Sequence, residues 1–190
     1  TTLFRSTEEM QSGDGRRGRL RIFFGFAAGV GKTYGMLTEA HELLMMGKHV
    51  VVGYIEPHDR PDTNRLLEGL PQIPPKNIFY KQMVLTEPDI DQIIQQKPEI
   101  VLIDELAHSN AEGSRNRKRY QDIDELLNAG IDVFTTVNVQ HIESLNDIVE
   151  EVTGIEVKET VPDTFLRQAT IRVIDVEPDE LIERLEQGKI

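Results

Sequence analysis

Residues 19–190 predict an α/β domain, a mostly parallel sheet in three layers with helices on both faces. Three observations carry that expectation. Short apolar runs alternate with amphipathic ones along nearly the whole chain. A glycine-rich turn carrying Lys32-Thr33 joins the first apolar run to the first helical stretch. A later apolar run ends in the two acids Asp104 and Glu105.

The elements follow in order. Residues 20–25 (LRIFFG) read as a short strand. Residues 32–46 carry Met36, Leu37, Ala40, Leu43 and Leu44 at helical spacing, and Gly47 supplies the stop. Residues 49–55 (HVVVGYI) are β-branched and read as a buried strand. A helix over 60–70 ends at Pro71, Pro74 and Pro75. Residues 77–81 read as a short strand, about 87–96 as a helix and 100–104 as a strong strand. Residues 117–128 place Ile123, Leu126 and Leu127 on one helical face, capped by Gly130. A strand over 131–137 and a helix over 141–152 come next, and a strand over 171–176 and a helix over 178–187 close the chain. Residues 1–18 read as a polar leader, disordered or of vector origin, and the abrupt end at Ile190 reads as a fragment of a longer protein.

A chain of 190 residues is long enough for one domain with a buried core. With 38% hydrophobic and 28% charged residues it reads as a globular cytosolic segment. Its net charge of −12 opposes general nucleic-acid binding, because the phosphate backbone is repelled. The absence of cysteine excludes disulfides, thiolate metal sites and cysteine nucleophiles. No apolar run approaches the roughly 18 residues of a membrane span, and the leader lacks the apolar core of a signal peptide.

The stretch GFAAGVGKT, residues 25–33, lies between a strand and a helix. Backbone N–H groups of Gly29, Val30, Gly31, Lys32 and Thr33 in such a turn cradle a polyphosphate, helped by the positive end of the helix. Lys32 neutralises the β- and γ-phosphates, and the Thr33 hydroxyl ligates magnesium. ATP and Mg²⁺ are the expected ligands, on a P-loop NTPase-like fold. The usual pattern has glycine where this chain has Phe26, so the loop entry is irregular. The competing readings are a glycine-rich turn without a ligand and a Rossmann dinucleotide site, whose glycine pattern is incomplete here.

The acids at the strand end suit the same ligand. Asp104 is the expected magnesium residue, through water, and Glu105 the expected general base. A surface turn capped by acids is the plainer alternative. Thr135, Thr136 and Asn138 end another strand and face the same crevice or serve ordinary loop hydrogen bonds. His141 reads as a helix-start residue, and Glu56, His58 and Asp59 either border the site or are solvated. The basic run Arg115, Arg117, Lys118 and Arg119 reads as a dock for an acidic partner, the nucleotide phosphates or anionic lipid, or else as a solvated helix start.

Four segments together carry a family resemblance: AAGVGKT, DELAHSN (104–110), TTVNVQHIESLND (135–147) and TVPDTF (160–165). They resemble the amino-terminal domain of the KdpD family, bacterial sensor histidine kinases governing high-affinity potassium uptake. The resemblance covers about residues 18–190. It implies a cytoplasmic, regulatory ATP-binding domain of an inner-membrane kinase. In that family it is followed by a universal-stress-protein-like domain, four membrane helices and the kinase core, and a homodimeric parent is expected. Gly29, Gly31, Lys32 and Thr33 match the family's nucleotide loop, and Asp104 and Glu105 its acidic motif. Asn116 and Arg117 depart from the His-Pro usual at that place. The phosphoacceptor histidine belongs to the kinase core, so no histidine here takes that role. Three functions follow: a regulatory nucleotide sensor, a working ATPase using Lys32 and Glu105, or an interaction module with little or no nucleotide binding.

Overall fold

Strands and helices alternate as β1 (Leu20–Gly25), α1 (Lys32–Met45), β2 (Val50–Tyr54), α2 (Pro61–Glu68), β3 (Lys76–Tyr80), β4 (Met83–Glu87), α3 (Ile90–Gln96), β5 (Ile100–Ile103), α4 (Arg119–Asn128), β6 (Asp132–Asn138), a 3₁₀ turn (Val139–His141), α5 (Glu143–Thr153), α6 (Asp163–Leu166) and β7 (Thr170–Val173). The structure is a computed structural model that describes residues 15–26, 31–57, 60–174 and positions 183, 186 and 187. Five strands form one sheet in the order β2-β5-β6-β1-β7, and every pairing in it is parallel. Parallel neighbours need crossover connections, which the intervening helices supply.

The alternation of side chains along each strand builds two separate cores. Leu20 and Ile22 of β1, Val101 and Ile103 of β5 and Val133 of β6 pack with Ile93 of α3 and Ile123, Leu126 and Leu127 of α4. Phe23, Val50, Val52, Leu102 and Phe134 point the other way, onto Met36, Leu37 and Ala40 of α1 and Leu66 and Leu67 of α2. Each such side chain, fully buried, contributes roughly 1.5–3 kcal/mol. The sheet is thus the middle of three layers, as the run pattern predicts.

The hairpin β3–β4 departs from expectation. It is a separate two-stranded antiparallel sheet, and β4 occupies residues expected to lead directly into a helix. Its turn residues Lys81 and Gln82 take φ of 45° and 65° without a glycine, so the usual hairpin signal is missing. The helix after it waits until Ile90, because Asp89 caps it by accepting from the Gln92 N–H at 3.2 Å. Similarly α4 starts at Arg119 and not at 117: Lys118 is extended, and its N–H donates to the Gln121 side chain at 3.0 Å. The short α6, Asp163–Leu166, carries no periodicity from which to expect it.

The packed chain starts slightly ahead of residue 19. Arg17 donates to Asp124, Asn128 and Gln168, and the Gly18 N–H to the Leu127 carbonyl at 2.7 Å. Residues 1–14, Gly29 and Val30, His58 and Asp59, and most of the expected terminal strand end and helix over 175–187 lie outside the described residues. Among the described residues no helix is long and apolar enough to cross a membrane.

Gly53 holds β2 close to its neighbours. The β2–β5 register shifts between Val52 and Tyr54, and a Cβ on Gly53 would stand 2.6 Å from Ile103 Cδ1 and 2.8 Å from Val101 Cγ2. Gly53→Ala is expected to cost about 1–3 kcal/mol through overpacking, read from urea unfolding midpoints. An unchanged midpoint would contradict this close approach.

Candidate functional site

The strand order reverses around β1. From β1 the chain crosses to the far edge at β2, returns through β5 and β6, and ends on the other side of β1 at β7. In parallel sheets a crevice opens at the carboxyl ends where the order reverses. Here a cleft is lined by Gly31, Lys32 and Thr33 at the start of α1, Asp104 and Glu105 after β5, and Thr136 and Asn138 of β6, with Arg60, His108 and His141 around them. Gly31 precedes α1 with φ of 93°, a conformation that suits glycine, and no side chain caps the helix start. The first-turn N–H groups of α1 thus belong to the cleft.

Asp104 is the hub. It is 1% exposed, and its carboxylate is addressed from three elements. The Thr136 hydroxyl donates to Asp104 Oδ1, and the Glu56 N–H donates to Oδ2 at 3.3 Å. Thr33 Oγ1 lies 3.4 Å from Oδ1 and 3.5 Å from Oδ2. Thr136 Oγ1 also accepts the Glu105 N–H at 3.0 Å, so one hydroxyl positions both acids. Glu105 takes φ of 58°, a left-handed turn that is unusual for a side chain of its size and swings it off the strand into the cleft.

The charges in the cleft are shifted in opposite senses. Burial pushes the Glu105 carboxyl up, and the nearby Asp104 and Glu56 charges push it further. Burial also lowers the Lys32 ammonium; Asp104 opposes that shift, and the positive charge of Arg60 adds to it. Asn138 ends β6 opposite Gly25, and its Oδ1 is buried with no hydrogen-bond partner among the described residues. His141 Nδ1 donates to the Glu159 carbonyl at 2.7 Å, which leaves Nε2 available. Lys32, Thr33, Asp104, Glu105 and Asn138 therefore share one cleft, whereas Gly29 and Val30 lie outside the described residues.

Arg119 requires a correction. Its side chain is 0% exposed, so it cannot belong to a docking patch. One arm donates to the Asp104 carbonyl at 3.0 Å and the other to Glu87 Oε2 at 2.7 Å, while the guanidinium lies 4.4 Å from the Tyr54 ring centroid. The other Glu87 oxygen accepts from His108 Nε2 at 3.1 Å and from the Ala111 N–H at 3.0 Å. Burial alone would raise the Glu87 carboxyl, but the hydrogen bonds from His108, Arg119 and Ala111 outweigh it and hold it below 4.5. The rest of the basic run is also engaged: Arg115 pairs with Asp91 and Glu125, and Lys118 Nζ donates to Ser109 Oγ at 2.7 Å. Only Arg117 in the run remains exposed without a described partner. Sequence reasoning assigned Glu87, His108 and Arg60 no role in the site, although His108 stands within DELAHSN.

Comparisons with known proteins match nearly the whole chain. A family model described as "KdpD: Osmosensitive K+ channel His kinase sensor domain" matches residues 16–190. The "Sensor protein KdpD" of Clostridium acetobutylicum is 60% identical over 175 residues, covering 92% of this chain and 19% of that relative. The protein of the same name in Escherichia coli K12 is 55% identical, covering 92% of the chain and 20% of that relative. A "Putative sensor protein KdpD" from a Synechocystis species is 47% identical over 176 residues and 48% of its length. The chain thus spans about a fifth of the length of the first two relatives.

The buried pair sets an acid limit on stability. Glu87 titrates lower in the folded chain than in the unfolded one, so its contribution is complete above about pH 4.5 and is lost as pH falls through the folded value. Glu87→Gln leaves Arg119 buried without its counter-ion and is expected to cost about 3–5 kcal/mol at pH 7. Urea unfolding should also show a flatter acid-side decline for the variant than for wild type between pH 5 and pH 3, roughly the range in which carboxylates titrate. Equal stability at pH 7 would overturn the pairing.

Proposed function

The chain belongs to the KdpD sensor-domain family, and on that premise we propose that it is the ATP-responsive regulatory segment of a potassium-responsive sensor kinase, with the remaining kinase domains as its partners. The observation that carries this reading is the approach of the Thr33 hydroxyl to the Asp104 carboxylate at 3.4 Å, beside Lys32 and the uncapped start of α1. A polyphosphate seated there meets helix N–H groups and an ammonium, and the two oxygens face each other across a gap that suits one hard cation. Magnesium takes few carboxylates and keeps its waters, so Thr33 and Asp104 suffice as its protein residues; bound there, it would neutralise phosphate charge. Burial lowers the Lys32 ammonium, and a phosphate beside it would favour its charged form. The buried, unpartnered Asn138 Oδ1 supports a further polar contact to a ligand or its water.

A P-loop NTPase-like site is thereby the fold-level reading that the parallel sheet supports. Membrane attachment, a homodimeric parent and control of potassium uptake belong to the whole kinase, and they come to this segment through the family. Turnover is the second reading, and Glu105 favours it. A carboxyl raised above its ordinary range and lining the cleft, on a residue whose backbone N–H is fixed by Thr136, is suited to accept a proton from water.

Calorimetric titration of the 190-residue chain with magnesium and a non-hydrolysable ATP analogue should saturate. Lys32→Ala should weaken binding at least about tenfold, and Asp104→Asn should remove its magnesium dependence. Identical titrations for wild type and Lys32→Ala would leave the interaction module as the better account. If ATP is turned over, phosphate release should rise with pH through a value above 4.5, where Glu105 becomes the charged base, and Glu105→Gln should bind but release none. Release that persists undiminished in Glu105→Gln removes the base role.

A further inference from the structure

Arg60 enters the cleft from a different element than Lys32 and Thr33 at the start of α1. It directly precedes α2, in extended conformation with φ of −121° and ψ of 106°, and it is half-buried. It lines the cleft together with Lys32 and Asp104, and its charge is felt at the Lys32 ammonium. Among the described residues its guanidinium has no ion-pair or hydrogen-bond partner, although the rest of the cleft is densely bonded. Two cations converging on a partly buried space repel each other, and a multiply charged anion relieves that repulsion.

The sheet order says which part of the anion Arg60 meets. The phosphate loop follows β1, Asp104 follows β5, and Arg60 comes from the loop after β2, which lies beyond β5 at the sheet edge. A phosphate chain anchored at the start of α1 and passing Asp104 therefore presents its far end to Arg60. The same loop is tied to the site at its other end, where the Glu56 N–H donates to Asp104 Oδ2 at 3.3 Å. Its helix is fixed as well: Leu66 and Leu67 pack on the α1 side of the sheet, and the Leu66 carbonyl lies 2.6 Å from His41 Nε2 of α1. A guanidinium carried on such a braced element suits recognition of planar phosphate oxygens.

We infer that Arg60 recognises the terminal phosphate, making this a site that separates nucleoside triphosphate from diphosphate. The inference rests on the nucleotide reading of the cleft. Affinities for the non-hydrolysable ATP analogue and for ADP, each with magnesium, test it in wild type, Arg60→Ala, Arg60→Lys and Lys32→Ala. Arg60→Ala should lower triphosphate affinity by roughly ten- to a hundredfold and ADP affinity by less than about twofold, with Arg60→Lys between. Lys32→Ala should weaken both. Thermal melts of the two ligand-free Arg60 variants should match wild type, since the guanidinium has no partner among the described residues and the Arg60 carbonyl keeps its bond from the Asn64 N–H at 3.0 Å. An equal loss for both nucleotides, or no loss, overturns the role of Arg60 and leaves the nucleotide site standing. Wild type that binds neither nucleotide overturns both readings.

Discussion

The buried ion pair between Arg119 and Glu87 is the constraint on which the cleft depends. A guanidinium with no exposure must find its partners inside the protein, or the cost of removing it from water is prohibitive. It finds them in three places: a carboxylate at the end of β4, a carbonyl at the end of β5 and the face of Tyr54 at the end of β2. All three lie at or just after the carboxyl end of a strand. The pair therefore ties an otherwise separate hairpin to the crest that carries both acids of the cleft. Its hold on the Asp104 carbonyl also supports the left-handed turn at Glu105, a conformation that local propensity alone would not maintain.

Above that brace, the cleft is unbalanced in a consistent way. Lys32 and Arg60 repel each other, Asp104, Glu105 and Glu56 repel one another, and burial sharpens both effects. Burial, the larger cause in each case, lowers the Lys32 ammonium and raises the Glu105 carboxyl. A ligand that brings negative charge to the cations and positive charge to the acids removes both strains at once. A polyphosphate carrying a divalent cation has that double character, and a simple anion or a bare metal ion has only half of it.

Much of this was legible in the sequence, for physical reasons. β1 and β5 are largely buried on both faces and hence read as continuous apolar runs, so 20–25 and 100–104 coincide with them to within a residue. The glycines at 47 and 130 mark helix ends because they take positive φ, at 85° and 84°. The β3–β4 hairpin was hidden because its turn uses Lys81 and Gln82 and its strands are largely exposed. Arg119 was misread because letters of one charge in a row suggest a solvated surface. Its spacing told otherwise: Arg119, Ile123, Leu126 and Leu127 stand at i, i+4, i+7 and i+8, and all four are buried. A charge on the apolar stripe of a helix is the signal that a buried partner exists, but the sequence does not say that the partner is Glu87. Arg60 and Glu105 depend on where a loop and a strained turn place them, and no periodicity carries that information.

Asp104 links these parts because its two ends serve different masters. Its carbonyl belongs to Arg119 and through it to the hairpin, while its carboxylate belongs to Thr136, Thr33 and the loop leading to Arg60. Any ligand that neutralises the carboxylate weakens the hold of the Glu56 N–H upon it, because a charge-assisted bond becomes an ordinary one. The carbonyl bond on the opposite side is unaffected by that neutralisation and keeps the residue in place. The consequence is directional. Charge compensation in the cleft is felt first at Glu56, whose N–H holds the Asp104 carboxylate, and last at the hairpin, where a buried ion pair stands in the way.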